Sequence, residues 1–424
     1  MELCLTNGHV VDSKNGIDET LDIRIRDGKI VEVGKGLPLH EDTEVIDCSG
    51  FMVIPGICDM HIHMRDPGQT HKEDIITACE AAAAGGVTAV ACMPNTVPTV
   101  DNTETVRYIL ENAKDAKTKV YPVGSITKGL LGEEFSDFTE LKAAGCVAVS
   151  DDGRPVKNAM MMKQAIKMGA QEGLAVISHC EDLDIIDGGI INKGAVSDAL
   201  GVKGMARSSE NYITAREILL AQEQNLPVHI AHVSTKEAVE EIRLAKKFGV
   251  KVTCETAPHY FTLTEDKLLD RDADYRMNPP LREQADVEAI AQAVCEGTID
   301  CIVTDHAPHT AKEKSEFLKA PNGVVGLETS LAATVTMLLN TGKITRTRLV
   351  EMMCVAPRKI LGIEGGDLSV GSAADITVFS EKEQWKVEPE KLHSKSKNTC
   401  FKGMTLSGRV KYTIVDGKIV YSDK

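Results

Sequence analysis

Two histidines, His61 and His63, stand two residues apart at the end of an apolar run from Phe51 to Ile57. In a β-strand, residues i and i+2 point to the same face, so both imidazoles can grip one metal ion while Ile62 packs into the opposite layer. Neutral imidazole is a common metal ligand. On its own such a pair is as often two core or surface histidines, so its meaning depends on the rest of the chain.

Residues of similar chemistry follow other short apolar segments. Asp151 and Asp152 come after one of them, His179 and His232 after two others, and Asp305 after the last. Metal-type ligands at the ends of so many separate segments are very hard to obtain by chance. The convergence predicts a metal centre.

The set is large enough for a pair of metal ions. We expect His61, His63 and Asp305 on one ion, and His179 and His232 on the other, with a carboxylate bridging the two. Nitrogen and oxygen ligands without a thiolate suit Zn²⁺, with Mn²⁺ or Co²⁺ as substitutes.

Neighbouring residues of ligand type are expected to play other roles. Adjacent residues of a strand point to opposite faces, so only one of Asp151 and Asp152 can face inward as the bridge. The remaining candidates, which we expect to be structural or supporting, are His229, His259, His306 and the buried thiol Cys180.

The elements that must position these residues alternate between strand and helix. Eight strand–helix units over about 300 residues favour a (β/α)₈ barrel, in which the C-terminal strand ends form the active-site face. A doubly wound open sheet is the alternative, although no GxGxxG follows the first strand. The predicted strands are Gly56–His63, Val87–Met93, Lys119–Ile126, Cys146–Ser150, Ala175–His179, Val228–Val233, Val252–Ala257 and Asp300–Thr304. The predicted helices are Lys72–Ala84, Asn158–Gln171, Ile213–Gln224, Thr235–Phe248 and Gln284–Glu296.

Both ends of the chain have the alternating pattern of β-strands. The heptapeptides Ile25–Val31 and Ile414–Val420 are nearly identical, and each contains an Asp-Gly hairpin turn. Two such hairpins are short for independent cores, so we expect the termini to pair into one small β domain. Two unrelated hairpins are the alternative.

The composition is that of an ordinary soluble globular protein, with 42% hydrophobic and 26% charged residues in a chain of 424. A net charge of −15 argues against general affinity for nucleic acid or anionic membranes. No window approaches ~20 apolar residues, and the N-terminus lacks a signal-peptide pattern. The 12 cysteines are scattered without a CxxC pair, which indicates reduced thiols and a cytoplasmic location.

Short motifs occur along the whole chain: His61-Ile-His-Met-Arg-Asp-Pro-Gly68, Met93-Pro-Asn95, Ser150-Asp-Asp-Gly153, His179-Cys-Glu181, Ala231-His-Val-Ser-Thr235, Asn278-Pro-Pro-Leu-Arg282 and Thr304-Asp-His-Ala-Pro-His309. Together they resemble the dihydroorotases of the bacterial class I type, within the amidohydrolase superfamily. The resemblance implies an α/β fold with a TIM barrel over residues 55–364. It also implies a small composite β-sandwich built from residues 1–54 and 365–424.

The resemblance further implies two zinc ions per subunit, bridged by Asp152 and a hydroxide. Many relatives, including hydantoinases and animal dihydroorotases, use a carboxylated lysine at the fourth strand, but Cys146–Asp152 contains no lysine. The implied reaction is the reversible cyclisation of N-carbamoyl-L-aspartate to (S)-dihydroorotate plus water in de novo pyrimidine (UMP) biosynthesis. In the hydrolytic direction the hydroxide attacks the ring amide, and Asp305, as general acid/base, accepts a proton and delivers it to the leaving nitrogen.

The small-molecule substrate carries a carboxylate that must be paired, and Arg65 offers a bidentate fork for it. Relatives usually carry Phe where Asn322 stands, so only a backbone contact is carried over there. The assembly implied is a homodimer, or a complex with aspartate transcarbamoylase. The further substrate-binding residues implied by the resemblance are His63, Asn95, Asn278, His309, Asn322 and Gly323.

Two other functions remain as alternatives. One is a different cyclic amidohydrolase, such as a hydantoinase or allantoinase; Arg65 and the aspartate in place of lysine argue against it, because neutral rings need no carboxylate partner. The other is a non-catalytic homologue that serves as a structural partner. Such a protein should have lost ligands, whereas every expected ligand is present.

Overall fold

A computed structural model describes residues 2–423 of the chain. Its strands are β1 (Glu2–Asp12), β2 (Ile17–Arg26), β3 (Lys29–Gly34), β4 (Thr43–Asp47), β5 (Met52–Pro55), β6 (Ile57–Ile62), β7 (Val87–Cys92), β8 (Lys119–Gly124), β9 (Ala148–Ser150), β10 (Ala175–Ser178), β11 (Ile191–Asn192), β12 (Gly204–Met205), β13 (Val228–Ile230), β14 (Val252–Thr256), β15 (Cys301–Ile302), β16 (Ile376–Lys386), β17 (Thr405–Val415) and β18 (Lys418–Ser422).

Helices alternate with most of the central strands. They are α1 (Ile75–Ala84), α2 (Thr103–Asn112), α3 (Phe138–Ala144), α4 (Ala159–Glu172), α5 (Leu183–Ile186), α6 (Ala195–Leu200), α7 (Ser208–Gln224), α8 (Lys236–Lys247), α9 (Gln284–Glu296), α10 (Ser330–Thr334), α11 (Arg346–Val350) and α12 (Ala356–Leu361). The first begins later than predicted, because the Asp74 side chain accepts a hydrogen bond from Thr77 N and caps the helix there. Among residues 2–423, no helix combines the length and apolar character needed to cross a membrane.

Eight strands form a parallel barrel in the spatial order β15-β14-β13-β10-β9-β8-β7-β6. Hydrogen bonds from β6, and from residues just past the ends of β6 and β15, join these two outermost strands. His63 N donates to the carbonyl of His306 at 2.8 Å, and Thr304 N donates to the Asp59 carboxylate at 3.2 Å. The ring is closed, which confirms the predicted (β/α)₈ barrel; the alternative of an open doubly wound sheet is wrong.

Most residues of the barrel strands are buried, and apolar side chains are the majority in these strands. In β7, Ala89 and Ala91 face the interior of the barrel, whereas Val90 packs outward beneath the helices. Ile62 lies in the same outer layer as Val90. His61 is therefore aimed into the interior, at the C-terminal end of its strand.

Both termini build a single curved sheet in the order β18-β17-β16-β5-β1-β2-β3, with β4 paired to β1. The two Asp-Gly turns meet: a Cβ on Gly417 would lie 2.9 Å from the Cα of Gly28. Ala374 bridges the two hairpins, because its N donates to Gly28 O at 2.8 Å and its O accepts from Gly417 N at 3.0 Å. The expected pairing of the termini is confirmed, and the alternative of two unrelated hairpins is wrong.

Long loops follow β10, β14 and β15 on the C-terminal face of the barrel. They pack against one another through a small apolar core of their own. It consists of Ile191, Val196, Leu268, Ala273, Phe317 and Ala320. These loops surround the candidate site.

Candidate metal centre

Asp152 lies in the middle of the site, just past the end of β9. Its Oδ1 is 3.3 Å from His61 Nε2 and 3.2 Å from His179 Nδ1. The same oxygen is 3.8 Å from His232 Nε2, and Oδ2 is 3.5 Å from His63 Nε2. A single buried carboxylate therefore faces all of these imidazoles.

Asp305 is a second carboxylate close to the two histidines at the end of β6, His61 and His63. Its Oδ1 is 3.1 Å from His63 Nε2 and 3.7 Å from His61 Nε2. Asp305 and His232 both have left-handed backbones, with φ values of 48° and 32°. Such conformations are strained for residues other than glycine, and they cluster at functional sites.

The donor atoms are close enough to hold metal ions. Two groups at this centre have ligand atoms within 4.8 Å of one another: His61, Asp152 and His232, and His61, His63 and Asp305. Among the described residues, His61 Nε2 is buried without a hydrogen-bond partner, and a metal ion would satisfy it. Imidazole and carboxylate donors without a thiolate suit a divalent ion such as zinc. The residues present fit such an ion.

In three of the four imidazoles, the nitrogen on the far side is held by an oxygen. Glu255 Oε1 is 2.5 Å from His61 Nδ1, and Glu181 Oε2 is 3.1 Å from His179 Nε2. Asn95 Oδ1 is 2.8 Å from His63 Nδ1. An acceptor there keeps the proton on the outer nitrogen and turns the other lone pair toward the centre.

Glu255 and Glu181 were not predicted as site residues. Glu255 is a lone acid inside the apolar strand β14, fully buried, and Glu181 follows His179 at the same i, i+2 spacing as the histidine pair. Those two features are the sequence signals that would have found them. Glu255 Oε2 also lies 3.1 Å from His229 Nε2, so one carboxylate supports both imidazoles.

The carboxylates control where protons sit. Burial lowers the pKa of His61, but Glu255 and Asp152 outweigh it and raise that pKa well above its ordinary value. Burial also opposes charge on His179, yet Asp152 and Glu181 raise its pKa to about 10. Burial raises the pKa of Asp152, but the imidazoles hold it well below its ordinary value. Without metal, His61 and His179 are therefore protonated at neutral pH, and protons and metal ions compete for the same nitrogen atoms.

Asp151 faces away from the centre. Its carboxylate accepts hydrogen bonds from Thr127 N at 3.0 Å and from Thr127 Oγ1. Of the two adjacent aspartates, only Asp152 reaches the imidazoles. Asp151 therefore holds the loop at Thr127 in place. This structural role explains why both adjacent residues are acidic although only Asp152 faces the site.

The remaining candidates lie beside the centre. His229 Nδ1 is 2.8 Å from Thr253 Oγ1, and His306 Nδ1 accepts from Gly326 N at 3.2 Å. Burial lowers the pKa of His259 to about 4, so its ring is neutral at physiological pH. The Cys180 thiol is buried against Ser178, and burial raises its pKa well above the ordinary value, which leaves it protonated.

Arg65, His309, Asn322 and Gly323 lie together and are called the arginine cluster below. Arg65 Nε donates to Pro308 O at 3.2 Å, and Nη2 is 3.4 Å from His309 Nε2. His309 Nε2 in turn donates to Asn322 O at 2.9 Å. Burial, with help from the charge of Arg65, lowers the pKa of His309 to about 2, so the ring is neutral.

The other three predicted substrate-binding residues, His63, Asn95 and Asn278, lie at or against the metal centre. Asn95 Nδ2 is 3.5 Å from Asp152 Oδ2, in addition to its contact with His63. Asn278 Nδ2 donates to Glu181 Oε1 at 3.0 Å. Asn95 and Asn278 thus lie next to the metal centre. The arginine cluster lies beside it, on the same C-terminal face of the barrel.

Comparisons with known proteins agree with this geometry. A family model described as dihydro-orotase-like matches residues 50–238, and an amidohydrolase family model matches residues 319–421. The chain is 51% identical over 423 residues to a protein named dihydroorotase from Geobacter metallireducens, covering 99% of this chain and 100% of the relative. It is 49% identical over 424 residues to one of the same name from Acetivibrio thermocellus, covering 100% and 99%.

Solved structures share the fold. An L-hydantoinase (dihydropyrimidinase) from Arthrobacter aurescens superimposes with a TM-score of 0.88 at 27% identity, covering 99% of this chain and 96% of that one. A D-hydantoinase from Thermus sp. has a TM-score of 0.83 at 24% identity, with 99% and 95% covered, and supports the fold alone.

Proposed function

The chain belongs to the dihydroorotase family of cyclic amide hydrolases, and from that membership we propose that it interconverts N-carbamoyl-L-aspartate and (S)-dihydroorotate in a zinc-dependent reaction. The relatives that bear the name dihydroorotase match it over its full length at about half identity. The proposed place of the reaction is de novo pyrimidine (UMP) synthesis.

The proposal of this substrate rests on the buried positive charge of Arg65. The residue is only 8% exposed, and burial lowers its pKa to about 10, so it stays charged at neutral pH. Within residues 2–423 its guanidinium bonds a carbonyl and lies near a neutral imidazole, and it forms no ion pair. An unpaired buried charge is costly, whereas a bidentate carboxylate would compensate it. A ring that bears a carboxylate is therefore the expected ligand.

In the proposed centre, His61, His63, Asp152, His179, His232 and Asp305 would hold two zinc ions, and Asp152, which faces all four imidazoles, would be shared between them. When bound, the ions supply Lewis acidity that activates a water near neutral pH and polarises the ring amide. The supporting oxygens of Glu255, Glu181 and Asn95 keep the imidazoles in the orientation that ligation requires.

Asp305 is proposed as the general acid/base. Burial raises its pKa, but His63 and His61 outweigh burial and lower it below the ordinary value, so the carboxylate is ionised. In the hydrolytic direction it accepts a proton from the attacking water and delivers it to the leaving ring nitrogen. In the direction of ring closure it takes the proton from that nitrogen and delivers it to the leaving oxygen of the carboxylate, which departs as water.

The arginine cluster orients the ring. Arg65 pairs with the substrate carboxylate, and the proposal gives His309, Asn95 and the Asn322–Gly323 backbone supporting contacts. Asn278, bound to Glu181, is proposed to contact the ring next to the metal centre. A homodimer, a complex with aspartate transcarbamoylase and a cytoplasmic location stay predictions.

A hydantoinase is the second candidate, since the superimposed structures are hydantoinases. The decisive experiment assays the purified chain with dihydroorotate and with uncharged dihydrouracil, alongside elemental analysis for zinc. We expect turnover of dihydroorotate and little or none of dihydrouracil, with zinc present. Preference for dihydrouracil would support the hydantoinase, and absence of turnover with zinc bound would support a non-catalytic homologue.

A further inference from the structure

We propose that Asn398, in the loop between β16 and β17, is a positioning residue for the arginine cluster. No motif considered above includes it. The inference rests on the proposed function, because its consequence is tighter binding of a carboxylate ligand. It assigns part of the substrate site to the C-terminal segment of the chain, far from the barrel in sequence.

Two backbone segments carry most of the arginine cluster, 306–309 and 322–325. They begin to pair like neighbouring strands: Ala307 N donates to Val324 O at 2.7 Å. The bridge is parallel and joins only His306 with Val324, and on either side of it His309 N and Gly323 O bond the Asn398 side chain instead of the facing segment. The Asn398 Oδ1 accepts from His309 N at 3.1 Å, and its Nδ2 donates to Gly323 O at 3.0 Å.

The amide of Asn398 thus links the two segments next to their single bridge. Its Nδ2 also lies 3.4 Å from Ala307 O, and its own carbonyl accepts from Val325 N at 3.1 Å. The residue is 4% exposed. Buried backbone groups without partners are costly, and a side-chain amide carries both the acceptor that His309 N needs and the donor that Gly323 O needs.

The spacing between the two segments decides where the cluster groups point. Pro308 O, which accepts from Arg65, and His309 belong to the first segment, and Asn322 belongs to the second. At Gly323 the segments are already in close contact, because a Cβ there would lie 2.8 Å from Ala307 O. A change in spacing would therefore displace Arg65, His309 and the Asn322 carbonyl together.

The loop that carries Asn398 is itself anchored on the barrel. Ser394 Oγ donates to Glu73 Oε2 at 2.5 Å, and Ser396 Oγ donates to Lys72 O at 2.6 Å. Glu73 and Lys72 lie in the loop that follows Arg65 and leads to α1. The loop consequently connects both strand ends that contribute to the arginine cluster.

The test uses the full-length, zinc-loaded protein and compares Asn398→Ala and Asn398→Leu with the parent. Leucine keeps the shape of asparagine and removes its hydrogen bonds. Asn340→Ala is the matched control, because the Asn340 amide bonds Glu381 O at 3.3 Å on an exposed face away from the site. The measurements are kcat and KM for dihydroorotate, the Kd of orotate by calorimetry, zinc content and melting temperature.

We expect KM and the Kd of orotate to rise about 10- to 100-fold in both Asn398 variants, since misplacing a positioning group by ~1 Å costs on that order. The kcat should change much less, and zinc content should equal that of the parent, because Asn398 touches no candidate ligand. Asn340→Ala should bind orotate as the parent does.

Unchanged KM and Kd in a folded Asn398→Leu protein would overturn the inference. So would loss of zinc, or failure of both variants to fold, because Asn398 would then serve the metal centre or the fold as a whole. A parent that neither turns over dihydroorotate nor binds orotate would refute the proposed function instead. The two failures are therefore distinguishable.

Discussion

Replacing Glu255 by glutamine should weaken zinc binding without unfolding the protein. The carboxylate is fully buried between His61 Nδ1, at 2.5 Å, and His229 Nε2, at 3.1 Å. The amide oxygen of glutamine can accept from His61, and its NH₂ can donate to His229 if the proton of that ring moves to Nδ1, next to Thr253. The hydrogen bonds then survive, and the variant removes the negative charge.

The expected loss follows from the role of that charge. A carboxylate behind a ligating imidazole raises its basicity, and removing such support costs about 10- to 100-fold in metal affinity. The range corresponds to about 1.4–2.8 kcal/mol of binding free energy. A second effect opposes the first: without Glu255 the pKa of His61 falls, so protons compete less for Nε2. The net loss should therefore be larger at pH about 8.5 than at pH about 6.5.

The assay is competition for zinc against a chromophoric chelator at both pH values. Asp12→Asn is the matched control, because Asp12 is an equally buried acid that accepts from Leu368 N at 2.6 Å in the terminal sheet. That variant should lose stability and keep parental zinc affinity. Equal zinc affinities of parent and Glu255→Gln at pH about 8.5 would refute the reasoning, since the carboxylate would then serve only packing.

Three further predictions concern catalysis, the loop and proton release. Asp305→Asn should lower kcat about 100- to 10,000-fold, as expected for loss of a general acid/base, with the melting temperature nearly unchanged; kcat near that of the parent would contradict its role. Gly323→Ala should raise KM and reduce the free energy of unfolding by about 1–3 kcal/mol, because φ is 134° and a Cβ would lie 2.7 Å from that of Ala307. Denaturant titration measures the free energy of unfolding, and an unchanged value would contradict this prediction. Zinc binding near neutral pH should release about two protons, from His61 and His179, so its calorimetric enthalpy should depend on the buffer; an enthalpy independent of buffer would contradict the raised pKa values.

The sequence predicted what depends on local periodicity and on strand ends. The i, i+2 spacing of His61 and His63 places both side chains on the same face at the end of β6, and the outward packing of Ile62 agrees with this prediction. The parallel barrel followed from short apolar segments alternating with helices, because parallel strands must be covered on both faces. Helix starts were less predictable: the pattern suggested Lys72, but a side-chain cap delays α1 to Ile75.

What the sequence could not reveal are contacts made only by closing the barrel. Glu255 lies in β14 and His61 in β6, which are not neighbours in the sheet, so no local pattern relates them. Asn398 is more remote still, since its bonds to His309 and Gly323 require the β16–β17 loop to pack against the barrel face. Such contacts depend on tertiary packing of segments far apart in the chain.

Anomalous diffraction from zinc-loaded crystals, recorded at the zinc absorption edge, tests the central claim most directly. The claim is that side chains from separate strand ends hold a pair of divalent cations around Asp152. We expect two anomalous peaks beside that carboxylate, each in contact with at least one of His61, His63, His179 and His232. A map with no peak there, or with zinc bound only elsewhere on the protein, would contradict the claim.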